Sequence, residues 1–167
     1  MTEALANLLA ATALLVSDSV DTGLPRSGSA AAALVTLEHE PGLSIDALRT
    51  VLGLTHSGAV RLVDRLEEDG LAERARGGRS VALTLTRRGR HAVDAVERAR
   101  LARVAELLEP LTEAEQRQLE KVVRKILAAR AQSVDDLNRI CRLCSFPACE
   151  SDGHVCPVAE AVKPQPR

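Results

Sequence analysis

After Gly70 the hydrophobic period of this chain changes from that of a helix to that of a strand, and after Thr86 it changes back. Leu71 to Arg76 and Arg79 to Thr86 read as two strands around Gly77-Gly78, with Val81, Leu83 and Leu85 alternating. A Gly-Gly pair suits the two-residue turn of a hairpin. The segment just before is equally specific. Ser44 is positioned to cap a short helix carrying Ile45, Leu48 and Leu52. Gly53-Leu54 is a turn, and Thr55 opens a second helix with Ala59, Val60, Val63 and Leu66 facing inward, closed at Gly70. A helix pair followed at once by a basic, glycine-tipped hairpin restricts the fold far more than either part alone. It predicts a mainly α chain with a small β-hairpin wing, a winged helix-turn-helix.

The flanks extend this α-rich reading. Residues 2–20 place Leu5, Leu8, Leu9, Leu15, Val16 and Val20 at helical spacing, and Gly23, Pro25 and Gly28 break the pattern. A further helix is expected from about Ser29 to His39, stopped by Pro41-Gly42. Beyond the hairpin, a long helix runs from Arg87 to about Leu108, with Val93, Val96 and Ala99 on one face, until Pro110. Thr112-x-x-Glu115 is a capping box. The helix it opens carries Leu119, Val122, Val123, Ile126 and Leu127, and is expected to continue past Val134 toward Ile140. The apolar share is 46%, mostly Ala, Leu and Val, with one Phe and no Trp or Tyr. That composition suits packed helices. It disfavours a β-sandwich and the aromatic stacking platforms of single-strand nucleic-acid binders. The apolar run at 8–16 has no basic region before it and is too short to span a bilayer. A cytoplasmic protein without a membrane partner is expected.

Charge is local rather than global. The net charge is −1, yet Arg74, Arg76, Arg79, Arg87, Arg88 and Arg90 follow one another with no acidic residue between them. A basic stripe on a near-neutral chain suits a phosphate-facing surface. A helix-turn-helix presents the start of its second helix to the major groove. Thr55, His56, Ser57, Gly58, Arg61 and Arg65 lie on or near that face. Hydroxyls meet phosphates or base edges, an arginine reaches a guanine edge, and the helix N-terminus itself favours phosphate. Arg76 and Arg79 flank the wing tip, where small residues and positive charge suit the minor groove and backbone. His39 and His91 show no partner pattern.

The block Leu-Val-Asp-Arg-Leu-Glu-Glu-Asp-Gly-Leu at 62–71, then Glu73-Arg74, then Leu-Thr-Leu-Thr at 83–86 and Gly89, resembles the MarR family of transcription regulators over about residues 2–134. The resemblance implies a homodimer with interlocked N- and C-terminal helices that binds a palindromic double-stranded operator, mostly as a repressor, and is not an enzyme. It places Ser57, Arg61 and Arg79 at DNA-contacting positions and Asp64 at an acidic position paired with a wing arginine. The wing tip, Arg76-Gly-Gly-Arg79, is several residues shorter than the family's. Many members release DNA when a small aromatic ligand binds. Nothing in this sequence identifies such an effector.

The last segment lies outside that resemblance. All four cysteines stand at 141–156 as Cys141-x2-Cys144-x4-Cys149-x6-Cys156-Pro157. In a reducing compartment such a cluster suits a metal or redox chemistry better than structural disulfides. Pro147 and Gly153 let the chain fold back so that four thiolates can close on one centre. Tetrahedral zinc is the commonest use of such spacing. An iron–sulfur cluster also takes four thiolates, and a terminal Cys-Pro resembles bacterial ferredoxin runs. Metal-free thiols that form disulfides are the third reading. His154 is a candidate outer partner of the ligands.

Four regions follow: an N-terminal dimerisation helix (1–25), a winged helix-turn-helix (26–90), C-terminal dimerisation helices (91–140) and a cysteine-rich motif (141–160). The expected function is a homodimeric DNA-binding regulator whose four-cysteine site, for zinc or an iron–sulfur cluster, senses metal or redox state. Two other classes remain open: a redox or electron-transfer protein working through the cysteines, and a zinc-stabilised interaction module.

Overall fold

The computed structural model describes residues 2–23, 26–77, 80–153 and 155–163. In chain order the elements are α1 (Glu3–Gly23), α2 (Gly28–His39), α3 (Ile45–Leu52), α4 (His56–Glu68), β1 (Ala72–Gly77), β2 (Ser80–Leu85), α5 (Arg87–Leu108), α6 (Glu113–Arg130), α7 (Val134–Cys141), α8 (Phe146–Cys149), a 3-10 turn (Ser151–Gly153) and α9 (Pro157–Val162). The expected class stands: among the described residues, helices surround one two-stranded antiparallel wing.

The core forms around α2. Its run from Ala31 to Leu37 is buried without interruption, because alanines let neighbouring backbones approach it closely. Leu34 and Leu37 share one core with Leu48 of α3, Leu62, Val63 and Leu66 of α4, Leu71 before the wing, Leu83 and Leu85 of β2, and Val93 and Val96 of α5. Each such side chain contributes about 1.5–3 kcal/mol when fully buried. On α4 the inward position expected for Val60 is taken by Leu62, which is buried while Val60 is half-buried.

Local chemistry sets the boundaries. Ser44 Oγ accepts the Ala47 N–H at 3.1 Å and Thr55 Oγ1 accepts the Gly58 N–H at 3.1 Å, so both helices of the motif begin at a side-chain cap. Between them Gly53 ends α3 at φ 65°, a left-handed conformation that favours glycine. In the wing, Ala72 pairs with Leu85 and the ladder runs to Gly77 opposite Ser80. Gly77 is therefore a ladder residue rather than a turn residue, one place from the expectation. Gly78 and Arg79 lie outside the described residues. The connection between α2 and α3 adds a bridge on the other edge of β2: the Leu83 N–H donates to the Leu43 carbonyl at 2.9 Å, and the Gly42 N–H to the Leu83 carbonyl at 2.8 Å.

Two expectations about helices change. The helix opened by the Thr112 capping box ends at Arg130 rather than continuing past Val134. Ala131 turns to extended backbone, and Ser133 caps a separate α7 by accepting the Asp136 N–H. The apolar N-terminal helix also exceeds the run at 8–16: over Glu3–Thr22 it is long and apolar enough to cross a membrane. It packs along α5 instead, while Leu5, Leu8, Leu9, Leu14 and Leu15 stay more than half exposed. On α6, Leu119, Val122, Val123 and Ile126 are exposed too.

Candidate nucleic-acid interface and thiol cluster

The two ends of α4 have different tasks. At its start the Thr55 hydroxyl is occupied by the cap, with Ser57 Oγ 3.4 Å away. His56 is exposed, and its Nδ1 lies 3.3 Å from Asp46 Oδ1. Asp46 also accepts from Arg49 Nε at 2.8 Å, and these bonds, Arg49 first and His56 second, hold its carboxyl below the ordinary carboxylate value. His56 is thus oriented by α3. Ser57, Arg61 and Arg65 project from the exposed face, and Gly58 is half-buried beneath them. Arg61 and Arg65, one turn apart, line a groove of about 200 Å³ with Ser27, Ser29 and Leu54. Neither makes an ion pair among the described residues, so this face carries two uncompensated cations.

The wing begins with a locked arginine. Arg74 Nη2 donates to Asp64 Oδ1 at 2.7 Å, its Nη1 donates to Glu67 Oε2, and its backbone N–H donates to Glu67 Oε1 at 3.0 Å. Asp64 therefore pairs with a wing arginine as the resemblance implied. The basic stripe is correspondingly shorter than its sequence suggests, since Arg74 neutralises α4 carboxylates rather than facing outward. Arg87, Arg88 and Arg90 are all exposed, and Arg90 Nη1 donates to the Leu85 carbonyl at 3.0 Å. Arg76 stands opposite Val81 in the ladder. Its side chain, and Arg79 as a whole, lie outside the described residues.

The four cysteines converge in a second, smaller core. Cys141 and Cys156 are buried with Ala131 and Val158, and Cys144 and Cys149 pack against them with Leu127, Leu137 and Ile140. All four are free thiols. They share one small core, and the Cys144 N–H donates to the Cys141 carbonyl at 2.8 Å. Among the described residues no group of three or more His, Cys, Asp or Glu side chains is arranged to hold a metal ion. The hydrogen bond shared with Cys144, then burial, pushes the Cys141 thiol up, and the same bond, aided by Arg100 and His39, lowers Cys144. Burial and the neighbouring Cys156 push Cys149 up to about 11. His154 lies outside the described residues.

One participant was missed in the sequence. His39, at the end of α2, donates from Nε2 to the Cys144 carbonyl at 2.9 Å, and its ring stacks on Phe146 at 3.7 Å between centroids. No spacing rule links residues this far apart in sequence. A cavity of about 220 Å³ lies beside this contact, lined by Thr36, Leu137, Cys141 and Phe146 among others. A larger one, about 450 Å³, opens between α1, α2 and the tail, with Arg100 and Arg142 on its wall.

Comparison with known proteins agrees with this geometry. The model of the MarR family matches residues 22–80, from the end of α1 to the start of β2. A MarR family protein of Bacillus stearothermophilus is 28% identical with a TM-score of 0.66, over 75% of this chain and 95% of that one. Rv2887 of Mycobacterium tuberculosis in complex with DNA is 26% identical with a TM-score of 0.65, over 73% of this chain and 96% of that one. The same protein with salicylic acid is 27% identical with a TM-score of 0.60, over 71% and 93%. No curated protein matches the chain. The fold is that of MarR winged helix-turn-helix structures.

Proposed function

We propose that this chain is a MarR-family transcriptional regulator, a cytoplasmic homodimer that binds a palindromic DNA operator as a repressor and catalyses no reaction. The observation that carries the reading is the capped α4 with Arg61 and Arg65 unpaired on its open face, beside a wing whose first arginine is already neutralised. Two free cations along the open face of α4, Arg61 at mid-helix and Arg65 in the last turn, suit groove-edge and backbone contacts, and the wing of each subunit adds more. The DNA complex of Rv2887, in the same fold, supports this use. Thr55, His56, Ser57, Gly58, Arg61, Arg65, Arg76 and Arg79 form the proposed contact set.

The apolar side chains of α1 and α6 that stay exposed among the described residues bury against a second copy. The four cysteines form the sensing element, a thiolate site for zinc or an iron–sulfur cluster. Rv2887 forms a complex with salicylic acid; here the larger cavity, with Arg100, Arg142 and Asp21 on its wall, is the space a small effector would take.

The test is selection of duplexes from a random-sequence library, followed by salt-dependent binding to the enriched palindrome. Arg61→Ala is expected to weaken binding by about 1–3 kcal/mol and relax preference at one base pair per half-site. Enrichment of no sequence would refute the reading.

A further inference from the structure

The residues after Ala131 form a unit that its apolar side chains alone do not hold. α7, α8 and α9 have eight, four and six residues. The fully buried apolar residues of this unit are Ala131, Cys141, Cys156 and Val158, half of them cysteine, with Leu137, Ile140, Ala159 and Val162 partly buried around them. Segments this small need a covalent or metal staple to keep a shape. The four thiols occupy the place such a staple would take, yet none is bonded to another. The donor set is sulfur throughout, and two of the four residues are buried, which selects a soft or borderline cation over calcium or magnesium.

This unit also grips both functional halves of the chain. Toward the DNA-reading half, Leu143 packs against the winged core, and the Cys144 carbonyl accepts from His39 of α2. Both belong to the tight loop at 141–144, which the Cys144 N–H closes on the Cys141 carbonyl at 2.8 Å. Toward α6, Leu127 enters the thiol core and Arg124 Nη2 donates to the Val155 carbonyl, next to Cys156. The 141–144 loop is thereby tied to α2, and the chain at Val155–Cys156 to α6.

We propose that Cys141, Cys144, Cys149 and Cys156 hold a four-thiolate metal centre that joins α6 to α2, and that the His39 bond to the 141–144 loop transmits its loading to the DNA-reading face. The inference rests on the DNA-binding function proposed above. The four thiols share one core, yet among the described residues no three of them stand at metal-holding geometry, so loading draws them closer. The loop moves with its thiols, and α2, whose buried face supports α3 and α4, follows through His39 and Leu143. Zinc and an iron–sulfur cluster share this ligand chemistry.

The test uses the full chain purified without air. About one zinc per chain, or iron with acid-labile sulfide, supports the site and identifies its occupant. Neither metal, together with no uptake of Co(II) by the reduced chain, overturns it. Coupling is read separately, as the ratio of affinities for the selected palindrome before and after chelation. The expected wild-type ratio is about tenfold. It should collapse toward one in His39→Ala at unchanged metal content and return in His39→Gln, whose amide N–H reaches the same carbonyl. A ratio of one in the wild type, or one that survives His39→Ala, overturns the coupling. Metal uptake without sequence-selective DNA binding by any form refutes the DNA-reading function, and the coupling with it, while leaving the site standing.

Discussion

At the scale of single residues, the tightest constraint is at Gly89, in the first turn of α5. A Cβ built there would lie 2.0 Å from the Leu71 carbonyl oxygen and 3.3 Å from Leu85 Cβ. The contact arises because the Thr86 N–H donates to that same carbonyl at 3.0 Å, which pins the start of α5 to the exit of α4. Backbone cannot give way as a side-chain end can. Gly89→Ala is therefore expected to cost about 3 kcal/mol or more, read as a lowered urea midpoint. A change under about 0.5 kcal/mol would show that α5 can shift freely against Leu71. The Gly89 position was visible in the sequence only through the family-like block. Its spatial reason, the carbonyl of a residue on the far side of the hairpin, was not.

At the scale of elements, the wing is set by Arg74. Its guanidinium bonds carboxylates one turn apart on α4, so the hairpin is oriented from the helix that carries Arg61. Arg74→Ala should weaken operator binding while leaving the salt slope unchanged, because Arg74 meets no phosphate. Arg61→Ala should lower that slope. Equal slopes for the two variants would contradict this division. The tail offers a second test. The Asp136 carboxylate accepts from the Gln132 N–H and the Ser133 hydroxyl, which lower it from an ordinary 3.8. A depressed carboxylate stabilises the fold fully above its ordinary value and loses that contribution as pH falls through the lowered one. Amide protection in the first turn of α7 should therefore hold above pH 3.8 and fall away below it. In Asp136→Asn the pH dependence should vanish. Ser133 was not identified as a cap from sequence, since the apolar periodicity of α6 carries on through it and only the backbone at Ala131 breaks the helix.

At the scale of the whole molecule, the exposed apolar residues of α1 and α6 are where the proposed dimer would close. A helix as apolar as α1 would also suit a bilayer. Leu8→Glu together with Ile126→Glu should convert a dimer to a monomer by light scattering, and operator affinity should fall with it, because two half-sites are read only by two linked α4 helices. A wild-type chain that is monomeric at micromolar concentration, or found in the membrane fraction, would exclude that assembly.

Local chemistry alone determined much of this protein. The caps at Ser44, Thr55 and Thr112, the stop at Gly53 and the change of period after Gly70 are properties of adjacent residues, and each was legible in order along the chain. The concentration of thiols at 141–156 was equally plain. Long-range packing decided what no neighbour could encode. It withdrew Arg74 from the basic stripe and brought His39 against Cys144 and Phe146 across more than a hundred residues. Such contacts depend on the mutual placement of helices, and a core of alanine, leucine and valine leaves no periodic mark of which surfaces will meet.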